Sequence, residues 1–266
     1  MRRWNLFWAV VLIVVGALML LDNLGLVRFD PWMIIGPGFL VALGLWILLE
    51  RPVRTHTVEG ESLSIPLQNA SRAEVAIRHG AGRLSLNGGA AADELLSGSF
   101  AGGVGQYIHL EGDVLKVSLT GPHDFFAFPR PGGSWREGLN WDMALNAGIP
   151  LSLDCRTGAS ESTFDLKGLK VSEFDLRCGA SEVTLWLPAA AGYSRFRIRG
   201  GMGSIKVHAP KEVAVRISVS SGMSEVSIYP ARFPRRDDVH ESPDFSTAAN
   251  KVELHIRAGM SSIEVV

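Results

Sequence analysis

A short unit recurs six times in this chain. Apolar and polar residues alternate, an arginine and a small residue usually follow, then a glycine, then Ala or Met, then a second alternating stretch. The glycines are Gly80, Gly158, Gly179, Gly201, Gly222 and Gly259, and the central ones lie 21, 22 and 21 residues apart. A period that short holds about two strands and two turns, so each copy is one coil of a stack rather than a domain. The expected fold over residues 73–266 is all-β: a β-solenoid with coils of about 21 residues.

Aligned on the glycine, the copies agree position by position. Five residues before it stand Val75, Leu153, Phe174, Phe196, Ile217 and Leu254; three before it stand Ile77, Cys155, Leu176, Ile198, Val219 and Ile256. Six after it stand Leu86, Phe164, Leu185, Val207, Ile228 and Val265. Side chains on a strand alternate between faces, so these columns are the expected core of two half-buried strands meeting at a tight corner. The glycine marks that corner, through a positive φ or a close backbone approach. The strand after Gly259 runs to Val266 with no polar capping helix, so an open end is expected there, and Ile263, Val265 and Val266 suggest self-association through it.

Two stretches interrupt the repeat. After the first copy, Tyr107–Leu110 and Val114–Leu119 alternate around Glu111-Gly112-Asp113, as in a β-hairpin. Residues 121–141 then lose all periodicity and gather Phe125, Phe126, Phe128, Trp135 and Trp141 among Pro and Gly. They form either a flap over one end of the stack or a contact loop for a partner or bilayer surface. The second insertion, 232–249, is charged and proline-bearing and reads as a solvated loop. Cys155 and Cys178 fall on the apolar parity of neighbouring copies but out of register, as buried small hydrophobes in a reducing compartment rather than a disulfide.

The first fifty residues differ from the rest. Trp4–Leu21 has one polar residue, Asn5, and Trp32–Leu49 has no charge, so each run is near the length of a membrane-crossing helix. Trp4, Trp8, Trp32 and Trp46 sit where interfacial anchors belong. A two-helix hairpin over 1–50 and a link over 51–72 that enters a first strand near Leu63–Leu67 fit better than a cleaved leader, because a second span follows at once. Arg2 and Arg3 before the first span, with Arg51 and Arg54 after the second, place the β domain in the cytoplasm.

Two residues before the glycine, on the outward parity, stand Arg78, Arg156, Arg177, Arg199 and Arg257, with Ser220 the one break. On stacked coils about 4.8 Å apart these form a ladder of like charge that needs neutralising. Either Glu161, Glu182 and Glu225 compensate it across the corner, or it is a strip for an acidic partner surface or phosphate-bearing group. A formal net charge of −1 gives no footprint for nucleic acid. The seven histidines show no metal-ligand spacing, and no Walker loop, Gly-x-Ser-x-Gly or His-Glu-x-x-His is present, so neither catalysis nor a cofactor is expected.

The run from Leu6-Phe7-Trp8 through Leu20-Leu21-Asp22-Asn23-Leu24-Gly25, then Pro31-Trp32 and Gly44-Leu45-Trp46, resembles the membrane region shared by LiaI and LiaF proteins of bacterial envelope-stress systems. The Gly-Met-Gly/Ser repeats resemble the β-rich domain of LiaF-type toast-rack and adhesin-like proteins. The resemblance implies a bacterial cytoplasmic-membrane protein whose β domain restrains or tunes a sensor histidine kinase. The expected function is a non-enzymatic membrane regulator whose partners are the bilayer and a kinase or other membrane protein, contacted through the arginine strip or the aromatic loop. The alternatives are a self-associating membrane-attached scaffold, and a ligand-binding or enzymatic cleft beneath the 121–141 flap.

Overall fold

In the computed structural model, which describes residues 61–121 and 139–266, the glycine-centred units become rungs of a parallel β stack. The rungs are β2 (Arg72–Gly88), β7 (Pro150–Asp165), β8 (Lys170–Trp186), β9 (Tyr193–His208) and β14 (Lys251–Val265). A sixth is split into β10 (Ala214–Ser221) and β11 (Glu225–Ile228). The core columns fall in register: Phe174 pairs with Phe196 and Leu254 with Phe196, while Leu86, Phe164, Leu185, Val207, Val265 and Ile228 form a second continuous row. Phe174 stacks on Phe196 and meets Phe164 edge to face, with ring centroids 5.2 Å apart in both pairs.

Five of the six coils are one strand carried through its glycine, not two strands joined by a positive-φ turn. None of the six repeat glycines has positive φ. Burial parity switches there instead. In β7, Leu151, Leu153, Cys155 and Thr157 are buried, Gly158 and Ala159 are not, and Ser160, Ser162 and Phe164 are buried next. Both arms of the bent strand therefore face one core. The bend also explains the short return: Leu166–Leu169 alone links β7 to β8, whereas a straight strand of that length would separate its ends by roughly 50 Å.

Glycine is required because successive bends nest against each other's backbone. A Cβ on Gly179 would lie 3.0 Å from the Gly158 carbonyl oxygen, one on Gly201 2.8 Å from that of Gly179, and one on Gly259 2.8 Å from that of Gly201. The Gly80 oxygen would meet a Cβ on Gly158 more closely still.

The order of the stack is β2-β7-β8-β9-β14-β10, so the last copy in sequence is not the last rung. β14 is inserted between β9 and the β10/β11 rung, parallel to both, and Ile263 and Val265 are fully buried. The open C-terminal end expected from the sequence does not exist. β11 pairs with β14 alone, whereas the β10 arm of the end rung is covered by 232–249, which was expected to be a solvated loop. That segment forms a hairpin of β12 (Arg235–Arg236) and β13 (Val239–Glu241), and β13 pairs antiparallel with β10. Phe233 and Phe245 are buried beneath it.

At the other end the two arms of β2 are extended separately. β5 (Val114–Thr120) joins its first arm and pairs with β4 (Gly105–Glu111) as the expected hairpin. β6 (Trp141–Leu145) joins its second arm, followed by β3 (Glu94–Phe100) and β1 (Glu61–Pro66). The sheet thus begins at Glu61, within the stretch assigned to the link. The membrane hairpin and residues 51–60 of the link lie outside the described residues, as do Phe125, Phe126, Phe128 and Trp135. Trp141, placed by sequence in the aperiodic loop, is a buried strand residue packed against Phe100 and His79, each centroid 5.1 Å away.

Candidate functional site

Parity puts the arginines outside. Because the residue three before each glycine turns inward, the next one faces solvent, and parallel register aligns the five: Arg78 with Arg156, Arg156 with Arg177, Arg177 with Arg199, Arg199 with Arg257. Thr120 closes the row on one side and Ser220 on the other. The ladder expected from the sequence is present over all five residues.

Its compensation comes from a different column. Arg156 lies 3.5 Å from Asp154 and Arg177 3.5 Å from Asp175, each partner two residues earlier on the same face of the same strand. Glu161 is engaged with Arg83 at 2.9 Å, and among the described residues neither Glu182 nor Glu225 forms an ion pair with the ladder. The bend separates those glutamates from the row they were expected to neutralise.

The acidic column then changes sign. In register with Asp154 and Asp175 come Arg197, His255 and Ser218. Arg197 is held by Glu173 and lies 3.7 Å from Asp175. Arg199 and Arg257 have no carboxylate at ion-pair distance among the described residues. Between β9, β14 and β10 they border a groove of about 200 Å³ lined by Arg197, Arg199, His255, Arg257, Ser218 and Ser220 over a floor of Ile198 and Ile256.

One exposed row escaped the sequence reading. Met202, Met260 and Met223 occupy adjacent rungs one residue after the glycine, at 56%, 52% and 78% exposure. Its signal was the switch from Ala81, Ala159 and Ala180 to methionine in that column.

Cys155 and Cys178 are both free thiols. Burial, reinforced by Asp154 and Asp175, pushes the Cys155 thiol far up, and burial raises that of Cys178. Neither is poised as a nucleophile. Burial lowers the pKa of His79, whose Nε2 lies 2.8 Å from the Leu139 carbonyl oxygen. Among the described residues no group of three His, Cys, Asp or Glu side chains is placed to hold a metal ion.

Residues 54–208, more than half of the chain, match the family model for the N-terminal domain of toast-rack, DUF2154. The chain belongs to the toast-rack family. This toast-rack protein also carries, over residues 6–48, a match to the LiaI-LiaF-like transmembrane region, which makes it a membrane protein. Among solved structures, a crystal structure described as a candidate cell adhesion protein from Clostridium sporogenes shares its fold. That structure aligns with a TM-score of 0.69 at 19% identity, over 78% of this chain and 98% of its own. A second, a candidate adhesin from Bacteroides fragilis, aligns over 81% of this chain and 99% of its own at 8% identity but superposes poorly, with a TM-score of 0.24. No curated protein matches.

Proposed function

We propose that this toast-rack protein is a non-enzymatic regulator of bacterial envelope-stress signalling, anchored in the cytoplasmic membrane, that acts on a sensor histidine kinase through its β domain. The observation that carries this reading is the pairing in one chain of a LiaI-LiaF-like transmembrane region with a toast-rack domain. The β domain offers recognition chemistry rather than reactive chemistry: an aligned arginine row, an exposed methionine row and two thiols held protonated. In this reading the membrane region crosses as a two-helix hairpin and the β domain is cytoplasmic, within reach of a kinase's membrane-proximal segment.

Two measurements test it. Affinity purification of the tagged full-length chain from its own cells recovers a sensor histidine kinase in stoichiometric amount, and deleting the chain changes the output of an envelope-stress promoter. A topology reporter fused after Val266 reads cytoplasmic. Recovery of no kinase together with an unchanged promoter overturns the regulatory reading, and a reporter on the opposite side removes the kinase geometry.

The scaffold alternative was motivated by an exposed final strand. β14 is an internal rung with Ile263 and Val265 buried, so that motive is gone.

A further inference from the structure

We propose that the groove between β9, β14 and β10 is an anion site for a phosphate-bearing group, held by Arg199 and Arg257 with the Ser218 and Ser220 hydroxyls. The inference is independent of the kinase reading, since it requires only the described β unit.

The case begins with a contrast inside one ladder. Arg156 and Arg177 each have an aspartate two residues earlier, whereas in β9 and β14 that position is Arg197 and His255. The carboxylates nearest these rungs are already engaged. Glu173 and Asp175 hold Arg197. Glu253 accepts from Tyr193 Oη at 2.5 Å and lies 3.3 Å from Arg216. Two arginines in direct register, on strands about 4.8 Å apart, therefore face solvent with their repulsion unrelieved. A multivalent anion bridging them converts that repulsion into charge-assisted hydrogen bonds.

The groove's shape and donors select the anion. The sixth rung places Ser220 where the others place arginine, and Ser218 stands in register with His255, so short hydroxyl side chains leave the space open. Its 200 Å³ corresponds to about six water volumes, ample for a tetrahedral oxyanion. Two guanidinium forks and two hydroxyls on three strands outnumber the two oxygens of a carboxylate and suit the several oxygens of a phosphate. Met202 and Met260, three residues further along the same strands, form an exposed apolar shelf that a phospholipid would use and a free phosphate would not.

The test uses the full chain in an uncharged detergent at low ionic strength, titrated calorimetrically with inorganic phosphate and with dioctanoyl phosphatidic acid. The wild type binds both. R199Q/R257Q weakens binding by about tenfold or more, the equivalent of one lost bidentate contact, while R156Q/R177Q, which removes the same two charges from the aspartate-paired part of the ladder, stays within about twofold. R199K/R257K keeps the charge and the fold but loses the forks, and binds several-fold more weakly. Because all four arginines lie on the outer face, circular dichroism confirms that each variant is folded. Phosphatidic acid binding about tenfold tighter than phosphate, with the gain lost in M202S/M260S, assigns a lipid headgroup; equal affinities assign a free phosphate group. No binding of either probe by the wild type, or equal loss in R156Q/R177Q and R199Q/R257Q, overturns the proposal.

Discussion

At the scale of single residues, the repeat glycines act through what they lack. Gly158 lies so close to the Gly80 carbonyl oxygen that an added methyl forces two rungs apart, while a Cβ on Gly222 would sit 3.2 Å from the Gly259 oxygen, where a small shift suffices. Gly158→Ala is expected to cost about 1–3 kcal/mol and Gly222→Ala under about 1 kcal/mol, measured by urea denaturation. Cys155 supplies a pH effect of definite sign. Its buried thiol stays protonated in the fold, whereas the unfolded chain releases that proton above about pH 8.5, so unfolding is favoured as pH rises. The stabilising contribution is complete below that pH and declines above it. Between pH 8 and 10 the wild type should lose about 1–2 kcal/mol more than Cys155→Ala, and parallel curves for the two would refute the assignment.

At the scale of elements, the cover over the end rung depends on one side chain. Arg232 donates to the carbonyl oxygens of Ala209 at 2.5 Å, Val213 at 3.2 Å and Pro210, while its guanidinium lies 4.9 Å from the Phe233 ring. Below it, Ser242 and Val215 exchange two hydrogen bonds of 2.9 Å, fastening β13 to β10. Arg232→Ala strands three carbonyls and should cost about 1–3 kcal/mol, with proteolysis opening first within 229–250. Arg232→Lys should recover little, because one ammonium cannot reproduce the fork. This cover was not legible in the sequence: Pro234, Arg235, Arg236, Asp237 and Asp238 look like solvent-facing loop, and the two phenylalanines that anchor it follow no period. The rungs were legible, because identical columns must face one core and parallel register then aligns them. The partners of the arginines were not. Sequence distance from the glycine pointed to Glu161 across the bend, but the same-face neighbour two residues away won.

At the scale of the whole molecule, interchangeable columns are also why the order of rungs was hidden. Phe196, Leu254 and Ile217 offer nearly the same surface to a neighbour, so no local preference says that the sixth copy enters before the fifth. The consequence is mechanical. In an ordinary linear stack, stability is a sum of neighbour terms and the terminal repeat frays first. Here the chain passes from β9 to β10, crosses the covered end and returns, so releasing the last strand breaks pairing with β9 on one side and with β10 and β11 on the other. Opening β14 therefore requires opening the stack. Native-state hydrogen exchange on the full chain should give the amides of Leu254, Ile256 and Ile263 the same opening free energy as those of Phe174 and Leu176 in β8. The two-residue β12 and the edge strand β1 should exchange far faster. Exchange of β14 at the rate of β12 would mean that the inserted rung detaches alone, and that the covered end rather than the interlock holds the stack together.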